Sequence, residues 1–310
     1  SCGWRSFWPL TWSSTSDRSR HGGAGIDVTY RLATTPDTIT QAHWVRDRLA
    51  EAGTQVHVSL VANGSGDPLD AFGRGDAHLA LVAGTRLRFR KREGLPILAV
   101  LIRVEPRDML VTPDGAPTSL RTLAPGVKVG VSGGRRRAFL RAHRPDLVAV
   151  SLTNGTSPAV VLESGLADAA ILGVAEARQA GLGALGAEVL DPKAWLPAPG
   201  QGALALIGGH DLAKLPGLDA VDHETSRIAL ETELALVDAL SVPAGSALGA
   251  LAQPTGRWIR LWAAAASEDG SAMARSDLTG VLDDPKGLAE TVAHQMIERG
   301  LTTVLSGSVS

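Results

Sequence analysis

The chain holds one cysteine, Cys2, one tyrosine and three methionines in 310 residues. A lone cysteine excludes an internal disulfide framework and a cysteine-ligated zinc site. No run of about 18 uninterrupted apolar residues occurs, so no membrane-spanning helix is expected. Neither sign of charge dominates: 30 Lys+Arg against 32 Asp+Glu leave a net charge of −2. A protein that coats nucleic acid needs a basic excess, so no nucleic-acid partner is expected. The eight histidines show no paired spacing on a common face, and no metal site is expected. Gly-x-Ser-x-Gly, Walker and Rossmann fingerprints are missing from the contexts that would give them meaning. Lysine is scarce too: 25 of the 30 basic residues are arginine. This is a compositional bias, but clustered guanidinium forks raise the question of carboxylate or phosphate recognition.

What is present reads as a soluble, cytoplasmic α/β protein of two or three domains. It is 44% hydrophobic and 20% charged, enough apolar content to bury a core. Residues 1–26 stand apart. Trp4, Trp8 and Trp12 recur every four residues, Pro9 interrupts the helix they would share, and a Ser/Gly/Arg stretch follows. The plain reading is an upstream extension; the functional one is a hydrophobic segment that docks a protein partner. From Val28 onward short apolar strands alternate with amphipathic helices. Strands are predicted at Val28–Ala33, Val56–Val61, His78–Val82, Ile97–Ile102, Val127–Val131, Leu147–Leu152, Ala169–Gly173 and Ala203–Ile207. Further strands fall around Trp258–Ala264 and Ala272–Leu278. Helices are predicted at Thr38–Ala52, Arg135–His143, Ser157–Ser164, His223–Leu240 and Pro285–Arg299. No internal sequence repeat is visible.

Two basic clusters carry chemical interest. Arg86, Arg88, Arg90 and Arg92 follow a strand directly, and in extended conformation they would share one face. Loops after strands are where open α/β sheets bind ligands, although charge runs are commonly solvated surface. Ser132-Gly133-Gly134-Arg135-Arg136-Arg137 joins a strand to a helix. That is the geometry of an anion cradle, with backbone N–H groups and the helix dipole pointing at the ligand. Arginines in a first helical turn oppose the dipole, and an anion would offset them. Asp67 and Asp108 are candidate acids, each also suited to a turn or a salt bridge.

Several segments resemble one family in order and spacing. Leu196-Pro197-Ala198-Pro199-Gly200-Gln201-Gly202-Ala203-Leu204 is similar to the hinge motif of hydroxymethylbilane synthase, also called porphobilinogen deaminase. Arg103–Asp108 resembles its R-x-D-P-R-D, and Gly130–Leu140 its G-T-S-S-x-R-R-x-x-x-L. Glu233–Leu240 with Ser241-Val242-Pro243, and Ala266-Ser267-Glu268-Asp269-Gly270, resemble its third-domain helix and hairpin. The resemblance implies three α/β domains. Two are like type II periplasmic binding proteins with a ligand cleft between them, and a small C-terminal α/β domain follows. Domain 1 is expected at 27–106 with 199–219, domain 2 at 107–198, and domain 3 at 220–310.

The departures from the family shape the functional expectation. The family's cofactor-bearing Gly-Gly-Cys loop is missing, because Leu240 joins Ser241 directly. The resemblance therefore implies a divergent member, and no dipyrromethane cofactor is expected. The stretch that resembles the family's H-S-x-K-D-x-P is Ala83-Gly84-Thr85-Arg86-Leu87-Arg88, with Leu87 nearest the place of its catalytic aspartate. In the first-strand motif the second arginine has become Thr35. Thr153–Ala159 has lost both arginines of L-R-G-N-V-x-T-R. The family activity is a transferase reaction, polymerisation of porphobilinogen. The leading expectation here is a repurposed homologue that binds a smaller anionic molecule, a carboxylate or phosphate, in the cleft. Its expected ligand-binding residues are Arg86, Arg88, Ser132, Arg135, Arg136 and Gln201, with no catalytic residue assigned. The alternatives are a non-catalytic binding or partner protein and a working synthase of tetrapyrrole biosynthesis.

Overall fold

A computed structural model of the chain describes residues 29–61, 66–88, 95–152, 157–243 and 245–306. The Trp4/Trp8/Trp12 segment, Arg90, Arg92 and Thr153–Thr156 lie outside the described residues. Thirteen strands are described: β1 Thr29–Thr34, β2 Gln55–Leu60, β3 Leu79–Ala83, β4 Ile97–Val100, β5 Asp108–Val111, β6 Lys128–Val131, β7 Val148–Ser151, β8 Ala169–Gly173, β9 Gly186–Val189, β10 Leu204–Gly208, β11 Ala247–Thr255, β12 Trp258–Ala266 and β13 Met273–Val281. The α-helices are α1 Ile39–Glu51, α2 Pro68–Gly73, α3 Gly84–Leu87, α4 Gly133–His143, α5 Pro158–Glu163, α6 Val174–Gln179, α7 Leu218–Val221, α8 Glu224–Leu240, α9 Pro285–Glu298 and α10 Leu301–Ser306.

The strands form three sheets, ordered β2-β1-β3-β10-β4, β7-β6-β8-β5-β9 and β11-β12-β13. The first two share one plan. In each, three neighbouring strands are parallel and the fourth runs antiparallel between its neighbours. The antiparallel strand in each sheet lies beside a segment where the chain passes between lobes, after β4 and after β9. The architecture thus repeats where the sequence shows no repeat, because sheet pairing constrains only burial pattern and turn geometry.

Local chemistry explains most of the elements. α1 buries Ala42, Val45 and Leu49 on one stripe, the helical spacing of an amphipathic face. α2 begins at Pro68, and Asp67 caps it by accepting from the Leu69 N–H at 3.0 Å. β8 is buried along its whole length, as expected for a strand covered on both faces. Three strands escape the sequence reading, β5, β9 and β11. β5 has four residues and opens on an aspartate. β11 is built largely from Ala, Gly and Leu and contains Pro254, tolerable on the edge of the third sheet.

The third sheet is an antiparallel meander backed by α8, α9 and α10, with Leu236, Ile259, Leu261, Val292 and Met296 wholly or nearly wholly buried. This lobe touches both others. Leu230 and Leu234 of α8 join the core of the first lobe beside Val82, Leu87 and Val100. Ala247, Ala264 and Ala266 pack with Phe139, Trp195 and Leu196 of the second. α8 ends at Leu240, and Ser241 follows in the left-handed region with φ 49°, alone among the described non-glycine residues. The returning turn at Gly200 is equally constrained. Its φ is +76°, and a Cβ there would lie 2.5 Å from the Gly84 carbonyl carbon, so only glycine lets the turn seat on α3.

Candidate functional site

Asp108, the first residue of β5, is wholly buried and five donors converge on it. Oδ2 accepts from Arg135 Nη2 at 2.7 Å and from Trp195 Nε1 at 2.9 Å. Oδ1 accepts from Arg136 Nε at 3.2 Å and Nη2 at 3.0 Å, and from Gln201 Nε2 at 2.8 Å. Burial alone would raise this carboxyl's pKa. Arg135 and Arg136 reverse that and hold it well below the usual carboxylate range. Asp108 is therefore an ionised structural anchor that has no proton to give.

Other donors of the two arginines also have acceptors inside the protein. Arg135 Nη1 donates to the Leu196 carbonyl at 2.6 Å. Arg136 Nη1 donates to Ser132 Oγ at 2.5 Å and to Glu176 Oε2 at 2.9 Å. Glu176 also accepts from the Gly173 N–H at 3.1 Å, at the start of α6. Gln201 fastens the returning crossing: Nε2 reaches the Pro106 carbonyl at 2.6 Å, and Oε1 accepts from Arg135 at 3.2 Å. The structure thus brings Ser132, Arg135, Arg136 and Gln201 together around an internal anion, the Asp108 carboxylate.

The other cluster departs from the extended reading. α3 is helical over Gly84–Leu87, so Arg86 and Arg88 do not alternate along a strand face. The reason is local: the chain leaves β3 and must turn over the Gly200 loop, and a single helical turn does this. Arg86 is exposed and Arg88 half-buried. Burial and the nearby Arg135 guanidinium lower the Arg88 pKa to about 10, still cationic at neutral pH. Leu87 points the other way, fully buried in the first lobe's core.

The first lobe carries a linked threonine cluster whose Thr34 is wholly buried. Thr34 ends β1, and Thr34 and Thr35 Oγ1 lie 2.8 and 2.9 Å from Thr38 Oγ1. The lobes meet directly where Gln179 Nε2, at the end of α6, donates to the Asp37 carbonyl at 3.0 Å. From the third lobe, the Gly245 carbonyl closes on the start of α4, 3.1 Å from where a Gly134 Cβ would sit.

A second buried ion pair was not singled out by the sequence reading. Arg103 binds the wholly buried Glu233 through both guanidinium arms, at 2.6 and 3.1 Å. The same carboxylate accepts from the Gly200 N–H at 2.6 Å and the Ala252 N–H at 2.8 Å. It ties a crossing segment, the returning turn and the third sheet to one point. Both residues sit in motifs quoted above, which was the available signal. Trp195, one residue before the hinge motif, was missed because its partner Asp108 is 87 residues away. Among the described residues no three His, Cys, Asp or Glu side chains gather as a metal site, and no helix is long and apolar enough to cross a membrane.

Two α/β lobes with one strand order, joined by two crossings, define a class of α/β protein with paired five-stranded mixed sheets. A third sheet-and-helix lobe is added at the C-terminal side. Within that class the chain belongs to the porphobilinogen deaminase family. It is 32% identical to the porphobilinogen deaminase of Stenotrophomonas maltophilia over 90% of this chain and 99% of that one. It is 31% identical to that of Thermobifida fusca over 92% and 89%. Residues 69–215 match the family "Porphobilinogen deaminase, dipyromethane cofactor binding domain". Among solved structures, the methionine binding protein MetQ is similar with a TM-score of 0.45 at 14% identity, covering 68% of this chain and 93% of that one. Lipoprotein Tp32 from Treponema pallidum gives 0.46 at 15%, covering 63% and 89%.

The family match corrects one expectation. A chain without dipyrromethane was expected, yet the matched segment is the one the family describes by that cofactor. The donors this segment offers are cationic Arg86 and Arg88 and the first backbone N–H groups of α4, whose N-cap Ser132 makes no side-chain cap bond. In kind they suit a group that bears carboxylates. The one cysteine, Cys2, lies outside the described residues.

Proposed function

We propose that this family member has left porphobilinogen polymerisation and binds an anionic molecule smaller than a growing pyrrole chain in the cleft between the first two lobes. The observation that carries the reading is Leu87. The residue at the family's acid position is an aliphatic side chain packed at zero exposure among Leu69, Val82, Val100 and Leu230. It neither gives nor takes a proton. Nor does the buried Asp108 supply one, since two arginines hold it ionised. Both guanidinium groups of Arg135 and Arg136 pair with the buried Asp108 inside the protein, which leaves fewer cations for a chain bearing two acids on every ring.

The test has two arms. Purified protein is incubated with porphobilinogen and its consumption followed; none is expected, and turnover would refute the reading. Thermal stability is then measured with small carboxylates and inorganic phosphate, in the parent and in Arg88→Ala. A ligand at a hundred times its Kd adds about 2.7 kcal/mol of stability. A shift in the parent that shrinks in the variant is expected. No shift with any anion, or equal shifts in both proteins, would remove the site.

A further inference from the structure

We infer that residues 4–20 of this chain dock into the groove between α8 and α9, anchored by Trp4, Trp8 and Trp12, and strap the third lobe to the first. The contact is one of the chain with itself and does not depend on what the cleft binds. The first support is the groove, which encloses about 660 Å³. Its apolar lining comes from Ile97, Leu234, Ala235, Ala239, Ala293 and Ile297. On each helix the lining residues recur at three- and four-residue intervals, so each wall is one face of its helix. Ile297 is 47% exposed there, an aliphatic side chain left in water beside an apolar floor. Apolar surface rimmed by polar groups marks a binding surface. Ile97 belongs to the first lobe and the two helices to the third, so an occupant of this groove touches both.

The second support is charge. Glu231, Asp238 and Glu290 line the groove with Lys286, a balance of three carboxylates to one ammonium, or −2 with His294 neutral. Residues 1–20 carry Arg5, Arg18 and Arg20 against Asp17, or +2. Tryptophan and arginine are also the residues that most often anchor protein interfaces. The third support is where this segment enters the fold. Ala33 pairs with Ala80, Ala80 with Ile207 and Ile207 with Ile97, which sets these residues in one row across the first sheet. Three strand spacings make that row about 14 Å long. Both β1 and β4 run parallel to β3, and Thr29 opens β1 four residues before Ala33, about 13 Å further along the strand. Thr29 therefore enters the sheet about 20 Å from Ile97. The chain from Trp12 to Thr29 reaches about 55 Å when extended, ample for the distance. A tether of this length supplies an effective concentration of about millimolar order, so a modest contact suffices to seat the segment.

Cys2 is the only cysteine, so a benzophenone maleimide labels the full chain at one place, two residues from Trp4. The labelled protein is mixed with an isotope-heavy copy, irradiated, and its cross-linked peptides are mapped by mass spectrometry. Cross-links within one chain to residues 231–239 and 286–297 are expected. Ile297→Glu should cut their yield about fivefold, the effect of losing about 1 kcal/mol of docking energy. Circular dichroism checks the fold of that variant, and the parent map stands even where the variant misfolds. Cross-links confined to other parts of the chain, or none at all, would overturn the inference. Products joining a heavy chain to a light one would assign the groove or the segment to a second copy and overturn it too. So would a yield unchanged by Ile297→Glu.

Discussion

Replacing Asp108 by Asn probes the centre of this molecule with almost no change of shape. The carboxylate accepts five hydrogen bonds, three of them from guanidinium groups. An amide keeps one acceptor oxygen and turns an NH2 toward donors that need an acceptor. The one carboxylate left beside the pair would be Glu176, which bonds Arg136 alone and is 43% exposed, so Arg135 would keep none. Breaking a buried pair by removing one partner costs about 3–5 kcal/mol. At about 2–4 °C per kcal/mol, Tm should fall by roughly 6–20 °C. The pH dependence has a definite sign. Burial opposes ionisation, but the two arginines depress the folded pKa below its unfolded value. The stabilisation is therefore fully present above about pH 4 and is lost as pH falls through the folded pKa. Urea unfolding followed by circular dichroism, in parent and variant, should show a constant gap from about pH 8 to 5 that closes below about pH 4. A gap under about 1 kcal/mol at pH 7, or one that widens on acidification, would refute this account of Asp108.

Other outcomes follow from single contacts. Glu233→Gln should destabilise by about 3–5 kcal/mol, and limited proteolysis should release the third lobe, because Arg103, Gly200 and Ala252 all converge on that carboxylate. Leu87→Asp should cost about 3–5 kcal/mol by placing a carboxyl in the first lobe's core, with no gain of porphobilinogen turnover; measured turnover would contradict the placement of Leu87. Gly200→Ala should lose about 2–4 kcal/mol from positive φ and from the approach to Gly84, read as a lowered urea midpoint. Ser241→Gly should instead raise stability by roughly 0.5–1 kcal/mol, since the position after α8 is left-handed.

Much of the molecule was legible because its signals are local. β8 occupies the predicted Ala169–Gly173, and α8 runs to Leu240 as the periodicity indicates. The turn of Gly200, the cap at Asp67 and the strand-to-helix junction at Ser132 are likewise set by residue types a few positions apart. β5, β9 and β11 were not legible. Four residues carry no period, and an Ala/Gly-rich strand has little intrinsic preference for extended backbone.

By itself the sequence determined that this is an α/β chain carrying the hinge, crossing and arginine motifs of its family, because composition, period and motif spacing are properties of neighbours along the chain. It also placed Leu87 and Thr35 where the family resemblance implies charged side chains. Only the tertiary structure decided what the arginines do. Asp108 lies 27 and 28 positions before Arg135 and Arg136 and 87 before Trp195, and folding alone brings them within hydrogen-bond distance. Whether a cation serves a ligand or the fold depends on which carboxylate reaches it first and on whether water does. Sequence spacing carries neither quantity. Here the buried carboxylate that reaches both arginines belongs to the protein itself.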